Sequence, residues 1–187
     1  MPNFIATVDT SVLLSLQSAE LLGAVSVLFD RLLVPTRVRE ELEEGEEGNR
    51  VALGAMVDFA IFEACSNYDR TSVDLLLKTR KHLNQGEDEG EAEAVIQAAQ
   101  GSASMVLTDD ALGREWAGRH ALECHGTIWI CYELRRTGYL TELRPYFVRM
   151  IERGRRQPLE GMNAFLREFA EPPITQEEQR KYTQRQP

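Results

Sequence analysis

The stretch Phe4-Ile5-Ala6-Thr7-Val8-Asp9-Thr10-Ser11 constrains this chain more than any other. Its nearly unbroken apolar run predicts a strand buried on both faces, as inside a parallel sheet. Asp9 falls where that strand would end, and two hydroxyls follow it. Ligands of open α/β sheets sit in the crevice at the carboxyl ends of the strands. Asp9 is therefore either a ligand-binding residue or the cap of the helix that Val12-Leu13-Leu14-Leu16 begins, since Asp, Thr and Ser all cap helices well. The octet alone does not separate the two readings.

Further strands are expected at Leu32-Leu33-Val34-Pro35, a very short one stopped by proline, at Ile61 to Cys65, at Ser104 to Thr108 and at Leu122 to Cys124. Between them run helical patterns: 11–29 with a break near Ser18, 37–44, 51–60, one opened by Asp69-Arg70-Thr71-Ser72, 91–100 and 111–120. A polar loop is expected over 84–90. Three more helices follow at 128–136, 141–153 and 159–170. Alternating strands and helices predict an α/β fold, a three-layer α/β/α sandwich with a central, mostly parallel sheet and a helical C-terminal extension. The expected division is a main domain over 1–144, a helical extension packed on it over 145–170, and a polar tail over 171–187. With 187 residues the chain has enough length for one domain with a proper core.

Lys and Arg number 21 against 30 Asp and Glu, a net charge of −9. That balance argues against a tight nonspecific nucleic-acid binder, which needs a basic footprint. It leaves room for a site whose acids are neutralised by metal. Cys65, Cys124 and Cys131 lack paired spacing and read as small buried thiols rather than a disulfide framework or a zinc site. Met1-Pro2-Asn3 does not open a signal peptide and no apolar stretch has the length of a membrane span, so a cytoplasmic protein is expected. The arginines Arg149, Arg153, Arg155 and Arg156 read as a solvated helix end more readily than as phosphate contacts. The basic run Lys78-Thr79-Arg80-Lys81-His82 suits the negative end of its helix as well as it suits nucleic acid.

The acids fall into a pattern. Asp9 ends one strand, and Asp109-Asp110 ends another. Within Glu40-Glu41-Leu42-Glu43-Glu44, helical spacing places Glu41 at the edge of the side marked by Val38 and Leu42. Along Glu91-Ala92-Glu93-Ala94-Val95-Ile96-Gln97, the same spacing puts Glu91 with Ala94, Val95 and Ala98, and Glu93 with Gln97 and Gln100. The expectation is that Glu91 faces inward and Glu93 faces water. Carboxylates gathered at one end of a sheet repel one another unless a cation lies between them. Hard oxygen donors suit Mg²⁺ or Mn²⁺, and such an ion serves phosphodiester hydrolysis.

Val8-Asp9-Thr10-Ser11-Val12-Leu13, Pro35 to Glu41-Leu42, Gly90-Glu91-Ala92-Glu93-Ala94, Leu107-Thr108-Asp109-Asp110 and Gly126-Thr127, in that order, resemble a PIN-domain protein. The resemblance is closest to the bacterial and archaeal branch with a Gly-Glu-Ala-Glu-Ala helix, and it covers roughly residues 4–140. It implies that 1–144 is a PIN-like catalytic domain and that the protein is a Mg²⁺- or Mn²⁺-dependent ribonuclease. It further implies RNA as substrate, membership of a toxin–antitoxin pair with an antitoxin protein as partner, and room for a homodimer. By the same resemblance the catalytic and metal-binding acids are Asp9, Glu41, Glu91 and Asp110. Asp109 is an additional ligand or a cap, and Thr10, Ser11 and Thr108 are supporting hydroxyls. Many PIN domains carry aspartate where this chain has Glu91. A rival reading is a PIN fold that docks a partner protein with little or no nuclease activity, because fold alone does not fix function. A phosphatase-like reading lacks a phosphate-cradling glycine loop.

Overall fold

The structure is a computed structural model and describes residues 4–45, 47–79 and 88–183. The strands are β1 (Phe4–Val8), β2 (Phe29–Pro35), β3 (Phe62–Cys65), β4 (Met105–Leu107) and β5 (Glu123–His125). They form one sheet in the order β3-β2-β1-β4-β5, with every pairing parallel. The helices are α1 (Thr10–Ala19), α2 (Thr36–Glu44), α3 (Glu47–Val57), α4 (Arg70–Lys78), α5 (Glu89–Ala99), α6 (Ala111–Arg119), α7 (Thr127–Arg136), α8 (Arg144–Glu152), α9 (Leu159–Glu168) and α10 (Gln176–Thr183). The architecture is the expected three-layer α/β/α sandwich, with helices following the last strand.

Several boundaries differ from the expectation. β2 begins at Phe29, not Leu32, because exposed Asp30 and Arg31 join the strand at its outer end. The long first helix stops at Ala19 and is followed by a 3-10 turn, Gly23–Val27. Helix α5 starts at Glu89, so the last two residues of the expected polar loop belong to its first turn. The rest of that loop up to residue 87, and residues 80–82 of the basic run, lie outside the described residues. The polar segment after Pro173 carries helix α10. Among the described residues no helix is long and apolar enough to cross a membrane.

Contacts divide the chain into two compact units. The first, residues 4–14 and 29–126, holds the sheet. Ala6 to Val8 of β1 and all of β4 are fully buried, as interior strands of a parallel sheet must be. Helix α5 lies deep within this unit: Gly90 and every residue from Ala92 to Ala98 are buried. Ala92, Ala94 and Ala98 keep that helix slim, and Val95 and Ile96 pack with Val73, Val106 and Trp116.

The second unit, residues 15–28 and 127–183, is helical. The end of α1 is closed there by arginines: Arg153 donates to the Ser18 carbonyl at 2.9 Å and Arg149 to the Ala19 carbonyl at 3.1 Å. Both also pair with Glu20, which takes a left-handed backbone (φ 60°) just past the helix. Cations at a helix C-terminus satisfy its orphan carbonyls. Arg149 and Arg153 are thus C-terminal partners of α1, more than a merely solvated helix end. Glu171 accepts the Leu143 and Arg144 N–H groups at the start of α8, each at 2.8 Å. Asn163 exchanges two bonds of 2.8 Å with the backbone of Ile174, which is buried ahead of α10.

Trp116 is 1% exposed and is among the largest buried side chains. Trp116→Ala is expected to lower unfolding free energy by about 3–5 kcal/mol, the cost of the lost transfer energy and the cavity. Urea denaturation measures this; a loss below about 1 kcal/mol would mean the site collapses onto the gap.

Candidate functional site

The strand order reverses at β1: β2 and β3 lie to one side, β4 and β5 to the other. The crevice beyond the carboxyl ends of β1 and β4 is therefore a topological switch point, where open α/β sheets bind ligands. Asp9 follows β1 and Asp109-Asp110 follows β4. The Asp9 N–H donates to the Leu107 carbonyl at 3.1 Å and ties the two strand ends together.

Asp9 is 1% exposed. Its Oδ1 accepts from the Val12 N–H at 3.0 Å and from Ser11 Oγ at 2.8 Å, and its Oδ2 accepts from Thr108 Oγ1. It caps α1, and it does so from inside the crevice, so the cap and the buried acid are one residue. Burial raises its pKa most; the Thr108, Val12 and Ser11 donors offset part of that, and the nearby Asp109 charge adds to it, leaving about 7. Thr108 also accepts from the Asp110 N–H at 3.0 Å. A Cβ on Gly113 would come within 2.9 Å of Thr108 Oγ1, so glycine at that position leaves room for the hydroxyl.

Glu41 reaches in from α2. It accepts from Thr10 Oγ1, and Arg37 Nε lies 3.5 Å from its Oε1 without hydrogen-bond geometry. Burial pushes its pKa up, and Thr10 and Arg37 pull it back only in part. Glu91 projects from the first turn of α5. Burial pushes its carboxyl up to about 8, and the charges of Asp9, Glu41 and Asp110 push the same way, against a bond from its own N–H. Among the described residues no Arg, Lys or His pairs with it. Asp110 is exposed and caps α6 by accepting the Leu112 N–H at 2.7 Å. Asp109 is half-buried, and its N–H donates to Ser11 Oγ at 3.1 Å. Asp9, Glu41 and Asp110 thus all act electrostatically on Glu91, with Asp109 beside Asp9. Each of the three expected hydroxyls bonds a carboxylate.

Glu93 departs from the expectation. It is 2% exposed, not on a water-facing side. It accepts from the Arg37 N–H at 2.8 Å and from Arg70 Nη1 at 3.1 Å, and Tyr68 bonds to it as well. Gln97, one turn on, is also fully buried. The polar side of α5 is covered at Glu93 and Gln97, while Gln100, just past the helix, is exposed and accepts the Asp69 N–H at the start of α4. Helical periodicity distinguishes two sides of α5 but does not say that the second is covered. Arg37 and Arg70 were not singled out from the sequence. Arg37 had a signal, since it stands one turn before Glu41; Arg70 had none.

The PIN-domain family matches residues 5–171 of the chain. The chain belongs to that family. No curated protein matches it. The PIN domain belongs to a superfamily of hydrolases and nucleases, many of which bind divalent metal. In this PIN domain the candidate donors are carboxylate oxygens, Glu91 is half-buried with no cationic partner among the described residues, and Glu41 Oε1 has no hydrogen bond there. That chemistry fits a hard divalent cation. Yet among the described residues no three His, Cys, Asp or Glu side chains stand close enough to share one ion. A groove of about 360 Å³ elsewhere in this unit, lined by Leu75, Leu76, Ile96 and His120, holds none of these acids.

The raised acids set the pH response. In the unfolded chain Asp9 and Glu91 ionise at about pH 4, in the folded PIN domain only at about 7 and about 8. Between those values the folded state holds more protons, so unfolding free energy falls as pH rises. Without added metal, the urea midpoint is expected to be higher at about pH 5.5 than at about pH 8, and Glu91→Gln should flatten the slope. A wild-type midpoint that rises over this range would contradict the assignment.

Proposed function

We propose that this PIN-domain protein is a Mg²⁺- or Mn²⁺-dependent endoribonuclease that hydrolyses RNA phosphodiester bonds as the toxin of a toxin–antitoxin pair. In this reading 1–144 is the catalytic domain, an antitoxin protein is the partner, and the protein works in the cytoplasm, with a homodimer as its assembly. The observation that carries the reading is Glu91: a half-buried carboxylate facing the charges of Asp9, Glu41 and Asp110, with no cationic side chain paired to it among the described residues. Crowding like charges in a partly desolvated site is costly, and a cation from solution is the natural complement.

The residues that would hold the ion are Asp9, Glu91, Glu41 and Asp110, with Asp109 as a further donor. A bound ion would supply a hydroxide at neutral pH and stabilise the leaving oxygen. The chain's own part is orientation. Ser11, Thr108 and the Val12 N–H fix the Asp9 carboxylate, and Thr10 fixes Glu41. The family resemblance supports RNA as the substrate. One observation favours the binding-module reading: no three acids among the described residues are set to share one ion.

The experiment uses labelled single-stranded and structured RNA with Mn²⁺, Mg²⁺ or chelator. Asp9→Asn keeps a good helix cap, so the fold should persist. Cutting should fall on the order of a thousandfold or more, the loss of several kcal/mol of transition-state stabilisation. Mn²⁺ should raise the wild-type melting temperature by mass action, and Asp9→Asn should lose most of that rise. Equal cutting by wild type and variant would sink the catalytic role. A wild type with neither cutting nor a Mn²⁺ response would put the binding module first.

A further inference from the structure

Helix α2 carries Glu41, and it starts without a cap of its own. Its N-cap residue is Pro35, which offers no side-chain acceptor. A helix start leaves its first N–H groups unsatisfied and carries partial positive charge. The missing acceptor comes from another helix. Glu93 Oε2, on α5, takes the Arg37 N–H at 2.8 Å, while Glu93 Oε1 takes Arg70 Nη1 at 3.1 Å. Arg70, at the start of α4, also pairs with Glu89 and Asp74, so Glu93 belongs to a braced network.

A second contact seats α2 one turn further along. A Cβ built on Gly90 would lie 3.1 and 3.2 Å from the two carboxylate oxygens of Glu41, and 3.2 Å from Val38 Cγ2. Any larger residue at that position would press on Glu41. Helix α2 is thus attached to α5 at two points: Arg37 on Glu93, and Glu41 against Gly90. Between those points, on the same helix α5, Glu91 feels the charges of Glu41 and Asp9.

We propose that Glu93 is a positioning residue for Glu41. It caps α2 from α5 and thereby fixes where the Glu41 carboxylate stands relative to Glu91 and Asp9, without touching substrate itself. This rests on the endoribonuclease reading above and extends it to the acid that helical periodicity alone would leave in solvent. The Gly-Glu-Ala-Glu run then has a division of labour. Gly90 admits Glu41, Glu91 joins the acid cluster, and Glu93 holds the helix from which Glu41 projects.

The test is a double-mutant cycle on the full chain. Glu93→Gln keeps one acceptor oxygen but sets an amide N–H₂ against either the Arg37 N–H or the Arg70 guanidinium. Removing outer-shell partners of metal ligands typically costs about 10- to 100-fold in metal affinity or activity. Glu93→Gln should therefore lower kcat and Mn²⁺ affinity by about that factor, with KM for RNA little changed. In a Glu41→Gln background the same substitution should add less than about twofold, because both changes act through one carboxylate. As a readout free of activity, the amides of Arg37 to Glu41 should exchange faster with solvent in Glu93→Gln than in wild type, without metal. Arg70→Gln, which leaves the Arg37 contact in place, should do less on every measure. Losses that multiply across the cycle, or amide exchange unchanged by Glu93→Gln, would overturn the positioning role while the nuclease stood. A wild type that neither cuts RNA nor binds Mn²⁺ would instead remove the endoribonuclease reading, and this inference with it.

Discussion

A helix buried around most of its circumference cannot leave a carboxylate unanswered, and much of this structure follows from that constraint on α5. Glu91 and Glu93 stand two residues apart, about 200° around the helix, so they meet different surroundings. Glu93 meets donors: a helix start, a guanidinium and a phenol. Glu91 meets other acids. The same helix therefore carries one acid satisfied within the fold and one left with charge of its own sign. A half-buried carboxylate among like charges relieves the repulsion by keeping its proton to higher pH.

Remote capping recurs in both units. Pro35 and Leu143 give α2 and α8 no side-chain acceptor, and Glu93 and Glu171 supply one from elsewhere in the chain. Arg149 and Arg153 do the converse at the end of α1. Each bond joins residues far apart in sequence, so it fixes the placement of one element on another as well as satisfying backbone groups. For α2 that placement matters to Glu41. For α8 and α1 it organises the helical unit.

The acid crevice draws on both sequence-local and long-range order. Asp9 bonds Ser11 and Val12 within three residues, but Thr108 comes from a strand end almost a hundred residues later. The parallel pairing of β1 with β4 brings them together. Burial then raises Asp9 and Glu91 into the neutral range, which couples the crevice to pH.

The sequence by itself determined the elements with strong local signals. The apolar run before Asp9, the strand before Asp109 and the break after Ser18 are all legible, because they depend on periodicity and on residues close in the chain. The ordered motifs, from Val8-Asp9 to Gly126-Thr127, were enough to point to the family that matches residues 5–171. The tertiary structure alone decided what covers each face. Polarity at Glu93, Gln97 and Gln100 reads as solvation in one dimension, yet Glu93 and Gln97 are buried, and Glu93 and Gln100 accept backbone N–H groups at the starts of α2 and α4. The roles of Arg149 and Arg153 were hidden in the same way, since a cation looks solvated until the helix end it closes is known. A helix period gives angles about one axis; which neighbour fills each angle is set by packing among segments distant in sequence.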